Sequence, residues 1–309
     1  MKAVIVSGPM QPEDFVIQEV EPPVLKDNQV LVNIRAAGLN PIDWSAPAFN
    51  YFDTLHVSLP YTAGNDLSGV AEKIGAGVRG FKVGDEVLGA LRLQRQGSFA
   101  TYAAIDEDLI VHKPPALPFT DAAAIPLSAE TAWQALFEKL DIQKGQKVLI
   151  QAAAGGVGVF AVQLAKFAGA HVVAVGSGRN TAFLKSLGAD EVFDYHQGYA
   201  TLSGDFDAVL DSVGSAAQTI PLLKRGGRYV SLTIPASQEL ADRYGVTISN
   251  FLYNSNAVQL KEIVRLIGEG ALRVIVDKTF HFEDIVAALQ YQRAGHSRGK
   301  NVLIMEKPL

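Results

Sequence analysis

The chain has 309 residues, 48% of them apolar, with 27 Lys and Arg against 32 Asp and Glu for a net charge of −5. That is enough apolar material for two ordinary cores, and a mildly acidic balance without a basic block argues against nucleic acid or an anionic membrane as the main partner. The absence of cysteine excludes disulfides, thiolate metal sites and a cysteine nucleophile.

The opening MKAVIVSGPMQPED has an apolar run too short for a signal-peptide core, and no segment approaches the length that spans a bilayer, so a cytoplasmic protein is expected. From Met1 to about Pro115 the texture is that of β structure. Val30, Val32 and Ile34 alternate with Leu31, Asn33 and Arg35, the period of a strand with one buried face. Glycines at 64, 69, 75, 77, 80, 84 and 89 mark turns between short strands, which predicts a compact, antiparallel, barrel-like domain. Residues 44–60, with Phe49, Tyr51, Phe52 and His56, read as a less regular loop that covers a pocket or caps the barrel.

The proline-rich PPALPFT (114–120) marks a joint, followed by helical texture over 121–125 and 128–140. Strands and helices then alternate. The strands are expected at 148–153, 171–176, 191–194, 208–211 and 228–232, with another near 246–252, and helices at 180–187, 216–223 and 256–268. Such alternation means parallel strands joined by right-handed crossovers. Two strand-like stretches, 274–280 and 301–305, flank a helix at 282–292, and this tail is expected to rejoin the first domain. The division is thus 1–118, completed by 270–309, and 119–269.

The most informative stretch is KVLIQAAAGGVGVFAVQLAKFAG (147–169). An apolar strand breaks at Gly155, Gly156 and Gly158 and resumes as a helix whose apolar face is Val159, Val162, Leu164, Ala165 and Phe167. Strand, glycine turn and helix make the first βα unit of a dinucleotide-binding fold, because glycines let the backbone approach a pyrophosphate and the open N–H groups of a helix start favour negative charge. Gly155, Gly156 and Val157 are the candidates for that contact. At the end of the second strand, where an NAD site usually carries Asp or Glu, this chain has Ser177, with Arg179 two residues on. A hydroxyl and a guanidinium suit a 2′-phosphate, so NADPH is the expected cofactor.

On AAGLNPIDW (36–44), LPYTAGNDLSGVAEKIGAGVRGFKVGDEV (59–87), the proline joint, AAAGGVG (152–158), SLGADEVFDY (186–195) and GKNVLI (299–304), the chain resembles the medium-chain dehydrogenase/reductase superfamily, in its zinc-independent quinone oxidoreductase branch. The resemblance covers nearly the whole chain. It implies an α/β protein in which a Rossmann-type doubly wound parallel sheet joins a GroES-like antiparallel β-barrel catalytic domain, and commonly a homodimer. It also implies cofactor contacts at Thr131, Tyr195 and Val213, and a basic residue, Lys300, aimed at the pyrophosphate. Zinc-dependent relatives hold their catalytic metal at the positions of Asn40, Asn65 and Leu127, which cannot make a zinc site. The six histidines have no ligand spacing.

Without zinc to polarise an alcohol, hydride addition to a quinone or an α,β-unsaturated carbonyl compound is the chemistry these residues fit, since it asks for a hydrogen-bond donor at the oxygen that gains charge. Asn40 is the first candidate for that donor and Tyr51 the second, while Asp43 is expected to hold its loop through backbone hydrogen bonds. The alternative is an NADPH-binding redox-sensing or partner-binding protein with little turnover.

Overall fold

The computed structural model describes residues 1–92 and 97–305. The chain divides into two compact units. One comprises Met1–Glu130, Asn254–Gly268 and Val274 onward, and the other Thr131–Tyr253 with Glu269–Arg273. The division falls inside the helix Pro126–Trp133.

In the first unit the long strand Gln29–Leu39 is the spine. It pairs antiparallel with Asp66–Ile74, with Tyr102–Asp106 and with the last strand, Lys300–Ile304. Glu86–Ala90 and Ile110–His112 extend the sheet on one side, and Val276–His281 lies parallel to Lys300–Ile304 on the other. Leu31 is buried along with Val30, Val32 and Ile34, where strict alternation would expose it, while Asn33 and Arg35 on the same face stay partly exposed. A smaller sheet orders Ile17–Glu19, Lys2–Val6 and Tyr61–Thr62. Phe15, Phe99, Ile105 and Phe282 fill the core of this unit. Residues expected as an irregular loop begin with a helix, Pro41–Ala48, set up by Asn40 before it and by proline in its first turn. The helix Ala257–Gly268, expected to close the cofactor unit, clusters instead with the first unit.

The second unit is a six-stranded, wholly parallel sheet, in spatial order Glu191–Asp194, His171–Gly176, Lys147–Ile150, Phe206–Asp211, Leu223–Ser231 and Thr247–Asn250. In chain order that is 3-2-1-4-5-6, the doubly wound arrangement, whose direction of winding reverses between Lys147–Ile150 and Phe206–Asp211. The first strand stops at Ile150 rather than Ala153, because the chain turns at Ala152 (φ 46°). The helix Gly156–Phe167 buries every residue from Gly158 to Ala165, whereas Phe167, read as part of its apolar face, is exposed at the C-terminal end.

Gly158 is where helix and strand meet most closely. A Cβ there would stand 2.4 Å from the Ala152 carbonyl oxygen and 2.6 Å from Ala153 Cα, both backbone atoms with no freedom to swing aside. Gly158→Ala should therefore cost about 1–3 kcal/mol, read as a lower urea midpoint with an unchanged m-value. An unaltered midpoint would show that the turn yields without strain.

Candidate active site

The first unit carries a buried polar cluster at the end of its spine. Asn40 follows the strand Gln29–Leu39, Asp66 opens the next strand and Lys300 opens the last one; they are 1%, 0% and 3% exposed. The Lys300 ammonium donates to Asp66 Oδ2 at 3.0 Å and to Asn40 Oδ1. Asn40 Nδ2 donates to the same Asp66 oxygen at 3.0 Å, and the other Asp66 oxygen accepts the Leu127 N–H at 2.8 Å. Oδ1 of Asn40 is thus committed to Lys300 and one Nδ2 hydrogen to Asp66, which leaves the second Nδ2 hydrogen for a further acceptor. The amide is fixed as a donor.

Two more carboxyl groups stand in the same region. Asp43 Oδ2 accepts the Asn40 backbone N–H at 2.6 Å, the expected backbone bond, while its Oδ1 is buried with no partner among the described residues. Burial pushes the Asp43 carboxyl up to about 8, against the opposing pull of the Asn40 N–H and of Lys300, and the Asp66 charge adds to the rise. Glu130 accepts the Asn256 N–H at 2.7 Å and is pushed up to about 8, again chiefly by burial, with the Asp66 charge adding to it. Both groups therefore carry their proton at neutral pH.

Tyr51 lies just beyond the helix Pro41–Ala48, at the end opposite Asn40. It is 43% exposed, and its ring leans on Phe49, which in turn leans on Trp44. No hydrogen bond joins Tyr51 to Asn40 among the described residues.

In the second unit the strand ends at the winding reversal are organised by Asp211. This fully buried carboxylate accepts the backbone N–H groups of Val213, Gly214 and Ser215 at 2.6–3.0 Å, the Ser215 hydroxyl at 3.1 Å and the Tyr229 hydroxyl at 2.5 Å. The loop it holds presents Val213, which is exposed. Gln151, after the first strand, donates to Ser215 Oγ at 3.0 Å and accepts from the Tyr199 hydroxyl at 2.9 Å, so both sides of the reversal share one network. Gly155 is the N-cap residue of the glycine-turn helix, with Gly156 and Val157 opening it, all partly exposed. Ser177 is half-buried and Arg179 exposed at the end of the second strand. The turn there lies against Asp194, since a Cβ at Gly178 would stand 2.6 Å from Asp194 Oδ2. Tyr195 is exposed beside the His196 ring, and Thr131 is buried in the helix Pro126–Trp133.

The sheet thus gathers Gly155, Gly156, Val157, Ser177, Arg179, Tyr195 and Val213 at the carboxyl ends of its first four strands, where open α/β sheets take their ligands. Lys300, expected at a pyrophosphate, is instead buried in the first unit with its ammonium already paired to a carboxylate and an amide. Asp66, Glu130 and Asp211 had no role assigned from the sequence. Their one signal is a carboxylate set in an otherwise apolar or small-residue run, as in AVLD (208–211).

Comparison with known proteins agrees with this architecture. Residues 26–115 match the family described as "Alcohol dehydrogenase GroES-like domain" and residues 187–303 the family described as "Zinc-binding dehydrogenase". The 2-methylene-furan-3-one reductase of Solanum lycopersicum is 38% identical over 292 residues, covering 91% of this chain and 73% of that protein. The chain belongs to the medium-chain dehydrogenase/reductase superfamily. Within it the branch is the quinone oxidoreductase-like one, whose members are NAD(P)H oxidoreductases. The chloroplastic NADPH-dependent alkenal/one oxidoreductase of Arabidopsis thaliana is 34% identical over 91% of this chain and 73% of its own. A structure of the quinone oxidoreductase from Coxiella burnetii superposes with a TM-score of 0.92 at 32% identity over 99% of both chains.

The residues at the superfamily's catalytic metal positions do not fit zinc. The Asn40 amide is taken by Lys300 and Asp66, the Asn65 amide nitrogen donates to the Leu91 carbonyl at 3.2 Å, and Leu127 has no donor atom in its side chain. Among the described residues no group of three His, Cys, Asp or Glu gathers as a metal site. No helix among them is long and apolar enough to cross a membrane.

Two stability predictions follow from the buried charges. Lys300→Met leaves Asp66 buried without its cation and should cost about 3–5 kcal/mol in urea unfolding, whereas a cost below about 1 kcal/mol would mean that the pair holds nothing. For Asp43 and Glu130 the folded value, about 8, lies above the ordinary 3.8 and 4.5, so the native state keeps protons that the unfolded chain releases. Their contribution is fully present below about pH 4 and is lost as pH rises towards 8, so stability slopes downward with pH across that window. Asp43→Asn should remove roughly half of that slope, and a slope equal to that of the wild type would contradict the assignment.

Proposed function

We propose that this protein transfers hydride from NADPH to a quinone or an α,β-unsaturated carbonyl compound. The observation that carries the reading is the Asn40 amide, whose oxygen is held by Lys300 and whose nitrogen keeps one hydrogen to give. Adding hydride to a conjugated acceptor throws negative charge onto its oxygen, and a preorganised donor in a dry site lowers the barrier to that step. Asn40 is that donor in our reading, and Tyr51, with its phenol exposed beside Phe49, lines the acceptor's path as a second one. Lys300 and Asp66 hold the amide, and this role replaces the phosphate contact for Lys300. The relatives named for alkenal/one and furanone reduction support the enone class, and the relative named quinone oxidoreductase supports the quinone class.

NADPH supplies the hydride when bound. Ser177 and Arg179 would hold its 2′-phosphate, the helix start at Gly155, Gly156 and Val157 its pyrophosphate, and Tyr195 and Val213 its adenosine side, with Thr131 towards the nicotinamide. A homodimer belongs to the same proposal, supported by the strand Thr247–Asn250, which among the described residues pairs on one side only and leaves a sheet edge open. Cytoplasmic residence belongs to it as well.

The test is NADPH oxidation by the purified protein with benzoquinone, phenanthrenequinone and trans-hexenal. Turnover of at least one is expected. Tight NADPH binding without turnover on any of them would replace this reading with a redox-sensing role. Arg179→Ala should raise the KM for NADPH roughly 10- to 100-fold, the worth of a lost charge-assisted hydrogen bond, and leave NADH use nearly unchanged. Equal effects on the two cofactors would overturn the assignment of the phosphate to Arg179.

A further inference from the structure

Asp43 is held by one oxygen only. Its Oδ2 takes the Asn40 N–H, and its Oδ1 is buried without a partner among the described residues. The residue lines a small, partly open space of about 20 Å³ together with Tyr61, Thr62 and Asn65. A space of that size with several polar walls suits a single water molecule. Tyr61 and Thr62 also line a much larger groove, about 450 Å³. Exposed Glu21, Val24 and Lys26 border that groove, so it opens to solvent. Asp43 lies close enough to Tyr61 for its charge to raise the phenol above its ordinary value, although burial is the larger cause. The arrangement therefore runs from solvent through a phenol and a one-water space to a carboxyl group bonded to the backbone of Asn40.

We propose that Tyr61, the water in this cavity and Asp43 form the route by which the proton consumed in the reduction enters the protein. The proposal rests on the reductase reading above. Hydride addition to the β-carbon of an enone forms a C–H bond, breaks the C=C π bond and leaves an enolate, while NADPH becomes NADP⁺. The enolate oxygen takes the Asp43 proton, and the enol tautomerises to the saturated carbonyl compound. The Asp43 carboxylate then takes a proton from the cavity water, which takes one from Tyr61, which takes one from water in the groove. The sum is enone, NADPH and one proton going to saturated carbonyl compound and NADP⁺.

The groups that act on Asp43 are the Asn40 backbone N–H, Lys300 from the last strand and Asp66 from the strand Asp66–Ile74, and Asp43 in turn acts on Tyr61 from the strand Tyr61–Thr62. Burial and Asp66 favour the acid, whereas the Asn40 N–H and Lys300 favour the carboxylate, and the acid form wins at neutral pH. A donor poised in this way can lend its proton and recover it from solvent.

The experiment measures kcat with trans-hexenal at saturating NADPH from pH 6 to 10 for the wild type, Asp43→Asn and Tyr61→Phe, together with infrared spectra of the carboxylic acid C=O stretch at pH 7. The wild type should lose rate above about pH 8, where Asp43 gives up its proton. Asp43→Asn should lower kcat about a hundredfold, abolish that limb and remove one acid C=O band. Tyr61→Phe should keep the band and the NADPH affinity, lower kcat several-fold and raise the solvent deuterium isotope effect. An unchanged basic limb in Asp43→Asn, an ionised Asp43 at pH 7, or Tyr61→Phe with wild-type kcat and isotope effect would each overturn the route. Should Asp43→Asn fail to fold, Tyr61→Phe and the wild-type spectrum decide alone. Absence of turnover in the wild type would instead overturn the reductase reading, while the infrared band would still report whether Asp43 is an acid.

Discussion

The ion pair between Lys300 and Asp66 is the constraint on which the first unit turns. Desolvating two charges is expensive, and their attraction repays it only where the remaining hydrogen-bonding capacity is also met. Here it is met from four separate stretches of chain. Asp66 receives Lys300, the Asn40 amide and the Leu127 N–H, and Lys300 also reaches Asn40. The pair links residues 234 positions apart, which ties the returning tail strand to the start of the strand Asp66–Ile74. An apolar pair of like volume could fill the same space. It could not orient the amide of Asn40, and that orientation is what the proposed chemistry uses.

The second unit solves a similar problem with another buried carboxylate. Asp211 stands where the winding of the sheet reverses and gathers three successive backbone N–H groups, a serine and a tyrosine. A rigid loop at a strand end is what a ligand-binding surface needs, because loose loops would have to be ordered at the expense of binding. Gly158 and Gly178 serve the same end by close approach, one of helix to strand and the other of turn to Asp194. In both units a carboxylate that is out of reach of water, and fully satisfied, positions the residues around it.

Local pattern made much of this fold legible. The strands His171–Gly176 and Glu191–Asp194 begin and end where the sequence places them, because each is a short run closed by turn residues. Pattern failed where the deciding partner is distant. Leu223–Ser231 starts five residues earlier than expected, since Leu223 pairs with Phe206 across the strand Phe206–Asp211 despite the glycines that follow it. The helix Pro41–Ala48 was hidden by its own prolines, although proline in the first turn is favourable. Periodicity alone could not tell which unit the helix Ala257–Gly268 would join. Of the candidate site, the glycine turn, Ser177 and Arg179 are legible because one contiguous βα unit contains them. Lys300 was not, for its partners Asn40 and Asp66 lie at the far end of the chain. The motif containing Asp66 was visible, but nothing local shows that its carboxylate is buried against a lysine.

In the proposed reaction the Asn40 amide, fixed by Lys300 and Asp66, stabilises the oxygen of an acceptor as hydride arrives. The most direct measurement is single-turnover transfer of deuterium from NADPH labelled at the transferable C4 position to trans-hexenal, followed by NMR in the wild type and in Asn40→Ala at equal NADPH occupancy. The label should appear at the β-carbon, with a rate about a hundredfold lower in Asn40→Ala. Equal rates in the two proteins, or no label at that carbon, would contradict the account.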